Sequence, residues 1–344
     1  MLKILNPQSP AAKEAIGKFP ELDVYYRPEY LRLSELAGEG QGKLAFFEGE
    51  RGLALYPFLL REAPFSFKGK RYYDIVSPYG YGGPVFEPKD PHLAKEFFDA
   101  FRASCRENSI VAEFVRFFHP VLGNHELFPA NALVPRGQVV MWDLTKPNEV
   151  LQEELSPKVK RNLKTAEKTG VEIVFDQELE LMEEFIRLYE ATMERRGAEG
   201  RYSFGREYFA FVKEELKPFA FLAAAKLQGK VIASALFFAS GPFLAYHLAG
   251  SDLEFRASCA SELLLYRAAL WGKARGFQFL NLGGGVGGKE DSLFQFKASF
   301  TPSRKSVFLG KVVHNREAYD ALAGMRQEVS GKTEDASFFP AYRA

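Results

Sequence analysis

The chain has 344 residues, 47% of them hydrophobic and 15% aromatic, which is ample for one large or two smaller folded cores. With 45 Lys and Arg against 44 Asp and Glu, its overall charge marks neither a nucleic-acid coat protein nor an acidic tail, so any polyanion contact must be local. Two cysteines, Cys105 and Cys259, supply neither a disulfide framework nor a paired metal motif. No stretch reaches the length of a signal peptide or a membrane span, so a cytoplasmic chain is expected, with work at the inner face of the membrane left open.

In chain order, Lys43 to Leu60 reads as two apolar strands around a Gly49 to Gly52 turn, with a third strand at Tyr72 to Val76 that opens into SPYGYGGP. Asp90-Pro91 supplies an N-cap and a first-turn proline for a helix bearing Leu93, Phe97, Phe98, Phe101 and Cys105 on one face. Strands follow at Ile110 to Phe118 and Val139 to Leu144. The second half repeats this order, with a hairpin around Gln228-Gly229 and a strand over Pro242 to Leu248. A helix from about Ser258 to Arg275, stopped by Gly276, then leads to a strand over Phe277 to Leu282. Two copies of one α/β unit are expected: residues 1–150, a connecting helix in 151–170, a second copy over 171–325, and a tail over 326–344.

The connecting segment, SPKVKRNLKTAEKTG, has a Ser N-cap, Pro157 in its first turn and Gly170 as its stop. On a helix, Val159, Leu163 and Ala166 share one face, and Lys160, Arg161, Lys164 and Lys168 gather on another. That basic face suits either plain solvation or contact with the phosphates of a nucleic acid. Helices are expected at Glu180 to Arg196 and Arg206 to Leu216. The loop between them holds Arg195, Arg196 and Arg201, whose guanidinium forks suit an anionic substrate as well as a surface connection.

Phe279 to Phe300 carries five glycines in six residues and a Phe-Lys pair. Gly283, Gly285 and Gly288 spell GxGxxG, and Gly283 to Lys289 spells GxxxxGK. Both nucleotide motifs fail, because Glu290 stands where a P-loop needs Ser or Thr and no acidic residue follows at dinucleotide spacing. The glycines then serve turns with positive φ or close approach to a ligand. With Asp291 as N-cap, a helix would group Leu293, Phe296 and Phe300 with Lys297 among them, whereas an extended segment would turn Lys297 to solvent. The five histidines form no zinc motif, no metal is expected, and no GxSxG elbow is present.

The ordered series SPYGYGGP, SPKVKRNLKTAEKTGVEI, FIRLYEATMERRG, YHLAGSD, FLNLGG and LFQFKASF resembles the Fem family of aminoacyl-tRNA-dependent peptidyltransferases, within the GNAT-like acyltransferase superfamily. The resemblance runs from about Asp23 to Tyr319. It implies an α/β (α+β) fold of tandem GNAT-like domains, each a mixed, largely antiparallel sheet flanked by helices, without a coiled-coil arm. It also implies transfer of an amino acid from charged tRNA to an amine of a peptidoglycan precursor or related envelope acceptor, with no tightly bound cofactor and no DNA partner. By resemblance, the family's Phe-Lys pair falls on Phe296 and Lys297, the lysine lying at the acyl-transfer site. Tyr246 and Arg196 fall on substrate-binding positions, and Tyr79 and Tyr81 lie where the precursor is expected, although aromatics of a Gly-Pro turn read equally as structural. Gly283, Gly284 and Gly285 would give clearance to substrate, and Lys160, Arg161, Lys164 and Lys168 would meet tRNA.

Two other functions share this fold class. An acyl-CoA-dependent acyltransferase would hold pyrophosphate at a helix start, at Arg256-Ala-Ser-Cys-Ala-Ser261, where both usual glycines are missing. A degenerate binding module is the non-enzymatic reading, since no general base is evident.

Overall fold

The computed structural model describes residues 1–117, 119, 122–197, 204–330 and 338–344. Its elements run β1 (Leu2–Leu5), α1 (Pro10–Gly17), α2 (Pro28–Leu36), β2 (Gln41–Gly49), β3 (Gly52–Glu62), β4 (Tyr73–Val76), β5 (Val85–Glu87), α3 (Pro91–Glu107), β6 (Ile110–Phe117) and β7 (Leu133–Asp143). They continue α4 (Asn148–Glu153), α5 (Pro157–Thr169), β8 (Glu172–Asp176), α6 (Met182–Arg195), α7 (Arg206–Glu214), β9 (Ala220–Leu227), β10 (Lys230–Ser240) and β11 (Phe243–Ser251). Last come α8 (Ala260–Ala274), β12 (Phe279–Gly283), α9 (Ser292–Ala298), β13 (Arg304–Val313) and α10 (Arg316–Ser330). Among the described residues no helix is long and apolar enough to cross a membrane.

The chain forms two compact units, and the boundaries are not those the sequence suggests. Unit 1 is Met1–Pro20, Tyr25–Arg136 and Ser306–Ala344; unit 2 is Glu21–Val24 and Gly137–Lys305. The physical reason is strand exchange. The strand following β6, which is β7, joins the sheet of unit 2, and the strand following β12, which is β13, joins the sheet of unit 1. Residues 151–170 are no connector either, because Val159, Leu163 and Ala166 of α5 lie in the core of unit 2.

In unit 1 the strand order is β1-β2-β3-β4-β6-β13, with β5 paired to β3. The β2–β3 hairpin closes where Gly49 pairs with Gly52, as the turn signal requires. Helix α3 starts at Asp90, whose carboxylate accepts from the Leu93 amide at 2.7 Å, with Pro91 in the first turn. It buries Leu93, Phe97, Phe98, Phe101 and Cys105 against Tyr56 and Phe58, each large apolar side chain contributing about 1.5–3 kcal/mol of transfer free energy. On another side, Ala318 and Leu322 of α10 pack with Val111 and Tyr342. The C-terminal segment is held by charge: fully buried Asp74 takes Arg61 Nη2 on Oδ1 and Arg343 Nε on Oδ2, both at 2.6 Å.

Unit 2 repeats the plan in the order β7-β12-β11-β10-β9-β8. In both units three antiparallel strands lead, through a helix (α3 or α8), to a strand that pairs in parallel, β4 with β6 and β11 with β12. Strand β10 is buried almost end to end because both faces of the sheet are covered. Helices α5 and α8 pack on one face, over Ala223, Ala225, Ala235 and Phe237, while Leu188 of α6 packs against Ala224 on the other. The backbone of α6 lies so close to β11 that a Cβ at Gly250 would sit 2.3 Å from the Leu188 carbonyl carbon.

Removing Asp74 would leave two arginines facing each other without a counter-charge. Asp74→Ala is therefore expected to lower the unfolding free energy by about 3–5 kcal/mol and to release the C-terminal segment to limited proteolysis. Urea unfolding within about 1 kcal/mol of wild type would assign the pair no stabilising role.

Candidate active site

The site in unit 2 begins where the parallel ladder between β11 and β12 stops. Only Phe243 to Ala245 and Phe279 to Asn281 are paired, so the strands lose contact beyond Ala245. Directly past that point a bulge in β11 places Tyr246 opposite Phe237 and Leu248 opposite Leu236, with His247 as the extra residue. The bulge puts Tyr246 and Leu248, which alternation would have left on one face, on opposite faces. Tyr246 packs beside Phe237 on the α8 side, while His247 meets Tyr208 of α7, Nε2 to hydroxyl 2.6 Å. Burial holds the imidazole neutral, its pKa pulled down to about 3.

Beyond β12 the glycine run is organised by two acceptors of the chain itself. Asn281 Oδ1 accepts from the Gly283 amide at 2.9 Å. Asp291 accepts from Val286 N on one oxygen and from Phe294 N on the other, so it both pins the loop and caps α9. Gly283, Gly287 and Gly288 have positive φ, and a Cβ at Gly285 would stand 2.1 Å from the Lys289 carbonyl oxygen. A Cβ at Gly284 would likewise come within 2.8 Å of the Gln138 carbonyl. The glycines expected to make room for substrate thus make room first for the protein's own backbone.

Helix α9 carries the Phe-Lys pair, and the helical alternative is the one adopted. Its buried face differs from expectation: Phe294, Lys297 and Phe300, at i, i+3 and i+6, point inward, and Leu293 and Phe296 are half-buried. Phe296 packs edge-on to Phe300 at 5.4 Å. Lys297, only 8% exposed, donates from Nζ to the Gly284 carbonyl at 2.7 Å. Burial brings its pKa down to about 8, with Asp291 opposing and Arg196 reinforcing the shift.

Arg196 reaches this group from the end of α6. That end is tied to β11, where Thr192 Oγ1 accepts from Ser251 N at 3.1 Å and Arg195 donates to the Ser251 carbonyl at 3.0 Å. Arg195, one of the arginines weighed for an anionic substrate, thus has its Nη2 on Thr192 Oγ1 and the Ser251 carbonyl. Arg201 of the same loop lies outside the described residues. Arg196 is exposed and has no ion pair among the described residues. It bears on both Tyr246 and Lys297: burial pushes the Tyr246 phenol up to about 12, and Arg196 draws it back. Lys297, Phe296, Tyr246, Arg196 and Gly283 to Gly285, singled out in the sequence, all belong to unit 2.

Tyr79 and Tyr81 belong to unit 1. The Tyr79 carbonyl accepts from Tyr30 Oη at 2.7 Å, its amide donates to Glu39, and the Tyr81 ring lies 4.6 Å from that of Tyr25. Of the basic residues on α5, Arg161, Lys164 and Lys168 are exposed, whereas Lys160 is half-buried with Nζ on the Glu153 carbonyl at 3.0 Å. The sequence reading missed Asn162 and Glu262, bonded to each other at 2.7 Å. Together with Glu167–Arg267 at 3.1 Å, that bond shows α5 and α8 running parallel, their N-termini at the same end. Nothing in either local sequence announces a pairing 100 residues apart.

Residues 156–297 match the acetyltransferase (GNAT) domain family model. No curated protein matches the sequence. Among solved structures, FemX superposes with a TM-score of 0.67 at 13% identity, over 93% of this chain and 99% of that one. The C-terminal domain of a putative lysylphosphatidylglycerol synthetase from Agrobacterium fabrum superposes at 0.52 with 17% identity, over 92% and 95%. A conserved protein of unknown function from Bacteroides thetaiotaomicron gives 0.55 at 10% identity, over 91% and 100%. The chain has the Fem-like GNAT fold, and the domain match with this fold supports an acyltransferase.

A buried lysine costs stability while it is charged. Lys297→Met is expected to raise unfolding free energy at pH 7 by about 1–4 kcal/mol. Below pH 8 folded and unfolded lysine are both protonated, and wild type bears the whole cost. Between pH 8 and the ordinary 10.5 only the unfolded chain keeps the proton, so wild type gains stability as pH rises and the advantage of the variant shrinks. An advantage independent of pH over that window would contradict a buried, depressed Lys297.

Proposed function

We propose that the protein is an N-aminoacyltransferase that moves an amino acid from aminoacyl-tRNA to an amine of a peptidoglycan precursor or related cell-envelope acceptor. The observation that carries this reading is the buried Lys297 just past the end of β12, one of its three donors engaged by the Gly284 carbonyl and its ammonium within electrostatic reach of Asp291 and Arg196. In the reaction, the neutral acceptor amine attacks the ester carbonyl and a C–N bond forms. The tetrahedral oxyanion then expels the terminal ribose hydroxyl of the tRNA, which takes up the proton lost by nitrogen.

An ester is already activated, so positioning and oxyanion stabilisation supply most of what is needed. Protonated Lys297 has donors left for the oxyanion, and Tyr246, whose phenol keeps its proton, can add a second. The exposed Arg161, Lys164 and Lys168 on α5 suit the phosphates of the donor. FemX and the putative lysylphosphatidylglycerol synthetase, both similar in fold, agree with an envelope role. The acetyltransferase model over 156–297 favours acyl-CoA as a second donor reading, so both donor classes belong in the assay.

Charged tRNAs with muropeptide acceptors, run beside an acyl-CoA panel, should give turnover with tRNA alone; turnover confined to CoA thioesters would refute the donor assignment. Lys297→Ala should lower single-turnover transfer by at least about 10²-fold while the fold persists. The combined charge reversal Arg161→Glu, Lys164→Glu and Lys168→Glu should reduce the salt slope of tRNA binding by roughly 2–3. An unchanged slope would leave that face of α5 simply solvated.

A further inference from the structure

Unit 1 holds a cavity built from residues that the chemistry above leaves unused. Its volume is about 350 Å³, and it lies between α3 and the end of β13, lined by Arg102 and Arg106, by Pro129, Ala132 and Val312, and by His314. The imidazole of His314 ends a buried chain. Tyr56 Oη donates to Glu113 Oε1 at 2.8 Å, and Glu113 Oε2 takes His314 Nε2 at 3.1 Å. The Glu113 and His314 side chains are each 2% exposed, and Phe101 of α3 packs edge-on to the ring. A carboxylate accepts from both partners, which puts the imidazole proton on Nε2. That leaves Nδ1 for the cavity: it makes no hydrogen bond among the described residues and is not sealed from solvent.

The arginines are equally unspent. Arg102, half-buried, and Arg106, exposed, stand at i and i+4 on α3, so their guanidinium groups share one side of the helix and repel each other. Neither makes an ion pair or a side-chain hydrogen bond among the described residues, and Asp99, one turn before Arg102, is taken by Lys95 at 2.6 Å. No acidic residue lines the cavity among the described residues, and Lys311, also in its wall, is turned to the Phe339 ring at 5.8 Å. Two guanidinium forks without a carboxylate and a buried imidazole nitrogen without a partner line one hollow, and that combination recognises an oxyanion.

We infer that this cavity of unit 1 binds a phosphate monoester with a small organic body. Nδ1 of His314 favours phosphate over carboxylate or sulfate. At neutral pH those two bring no proton to an imidazole nitrogen, whereas a phosphate monoester, whose second ionisation lies near pH 6, shares one with it. Whether that proton sits on oxygen or on the ring, with Glu113 behind it, the hydrogen bond is made. The organic body follows from the space, which is that of a small-molecule pocket, and from the apolar wall of Pro129, Ala132 and Val312. No hydroxyl, thiol or carboxylate side chain lines the cavity among the described residues, so the site binds its ligand without turning it over. None of these residues belongs to unit 2, so the site stands or falls apart from the chemistry at Lys297.

The test is calorimetric titration at neutral pH and about 0.15 M salt with propyl phosphate, and with butyrate as a carboxylate of similar length. Propyl phosphate should bind at one site at least about tenfold more tightly than butyrate, and should move the nitrogen resonance of His314 Nδ1. The double substitution Arg102→Gln with Arg106→Gln, on the outer side of α3, should weaken binding by about tenfold or more with the circular dichroism of the fold unchanged. Glycerol 3-phosphate and phosphatidate vesicles then separate the sources of the phosphate. Saturable binding of the first assigns a soluble ester, and recruitment to the second that the double variant loses assigns a lipid headgroup. No saturable binding of propyl phosphate, binding no tighter than that of butyrate, binding untouched by the double substitution, or binding that leaves His314 Nδ1 unmoved would each overturn the assignment.

Discussion

The parting of β11 from β12 is the constraint on which the site depends. Three paired residues hold the strands together, and then the ladder ends. Backbone groups that would have bonded each other need other partners, and the protein meets part of that need with side chains, Asn281 taking Gly283 N and Asp291 taking Val286 N. Beyond the last paired residues the Lys297 amine from α9 reaches the Gly284 carbonyl, and at the bulge the Tyr246 ring lies beside Phe237. A continuous sheet would have filled this region with apolar side chains, as it does at Leu244 and Leu280 just before the gap.

Burying a lysine here is costly and specific. Its amine is held by a carbonyl and not by a carboxylate, so the charge is stabilised without being neutralised. That is the condition in which a cation can respond to negative charge developing on a substrate oxygen. Arg196 lowers the Lys297 pKa further, and Asp291, committed to the loop and the cap of α9, moderates the effect. The stability cost and the proposed chemistry share one origin, the desolvation of a single ammonium group.

Much of this was legible in the sequence. The Asp90-Pro91 and Ser156-Pro157 caps, the Gly170 stop and the hairpin turns fixed elements because each signal is local and each acts through its own backbone. Lys297, Tyr246 and Arg196 were named from the order of weak motifs, and all three belong to unit 2. What escaped was non-local. Strand exchange moved the unit boundaries to Arg136 and Ser306, because no residue records which sheet a strand will join. The inward face of α9 was displaced by a residue, since Phe294 and Phe296 are equally apolar and only packing chooses between them, Phe294 being buried in the unit 2 core and Phe296 half-buried against it. The glycine run was legible as backbone permissiveness, but whether it served ligand or chain was decided by the Lys289 and Gln138 carbonyls. Asn162 and Glu262 were invisible for the same reason, being joined only by the parallel packing of α5 on α8.

The most direct test of the account is a crystal structure of the protein with a non-hydrolysable aminoacyl-adenosine amide. The amide carbonyl oxygen should lie beyond the last paired residues, Ala245 and Asn281, within hydrogen-bonding distance of Lys297 Nζ. An aminoacyl group bound elsewhere, with Lys297 touching only the Gly284 carbonyl, would contradict it.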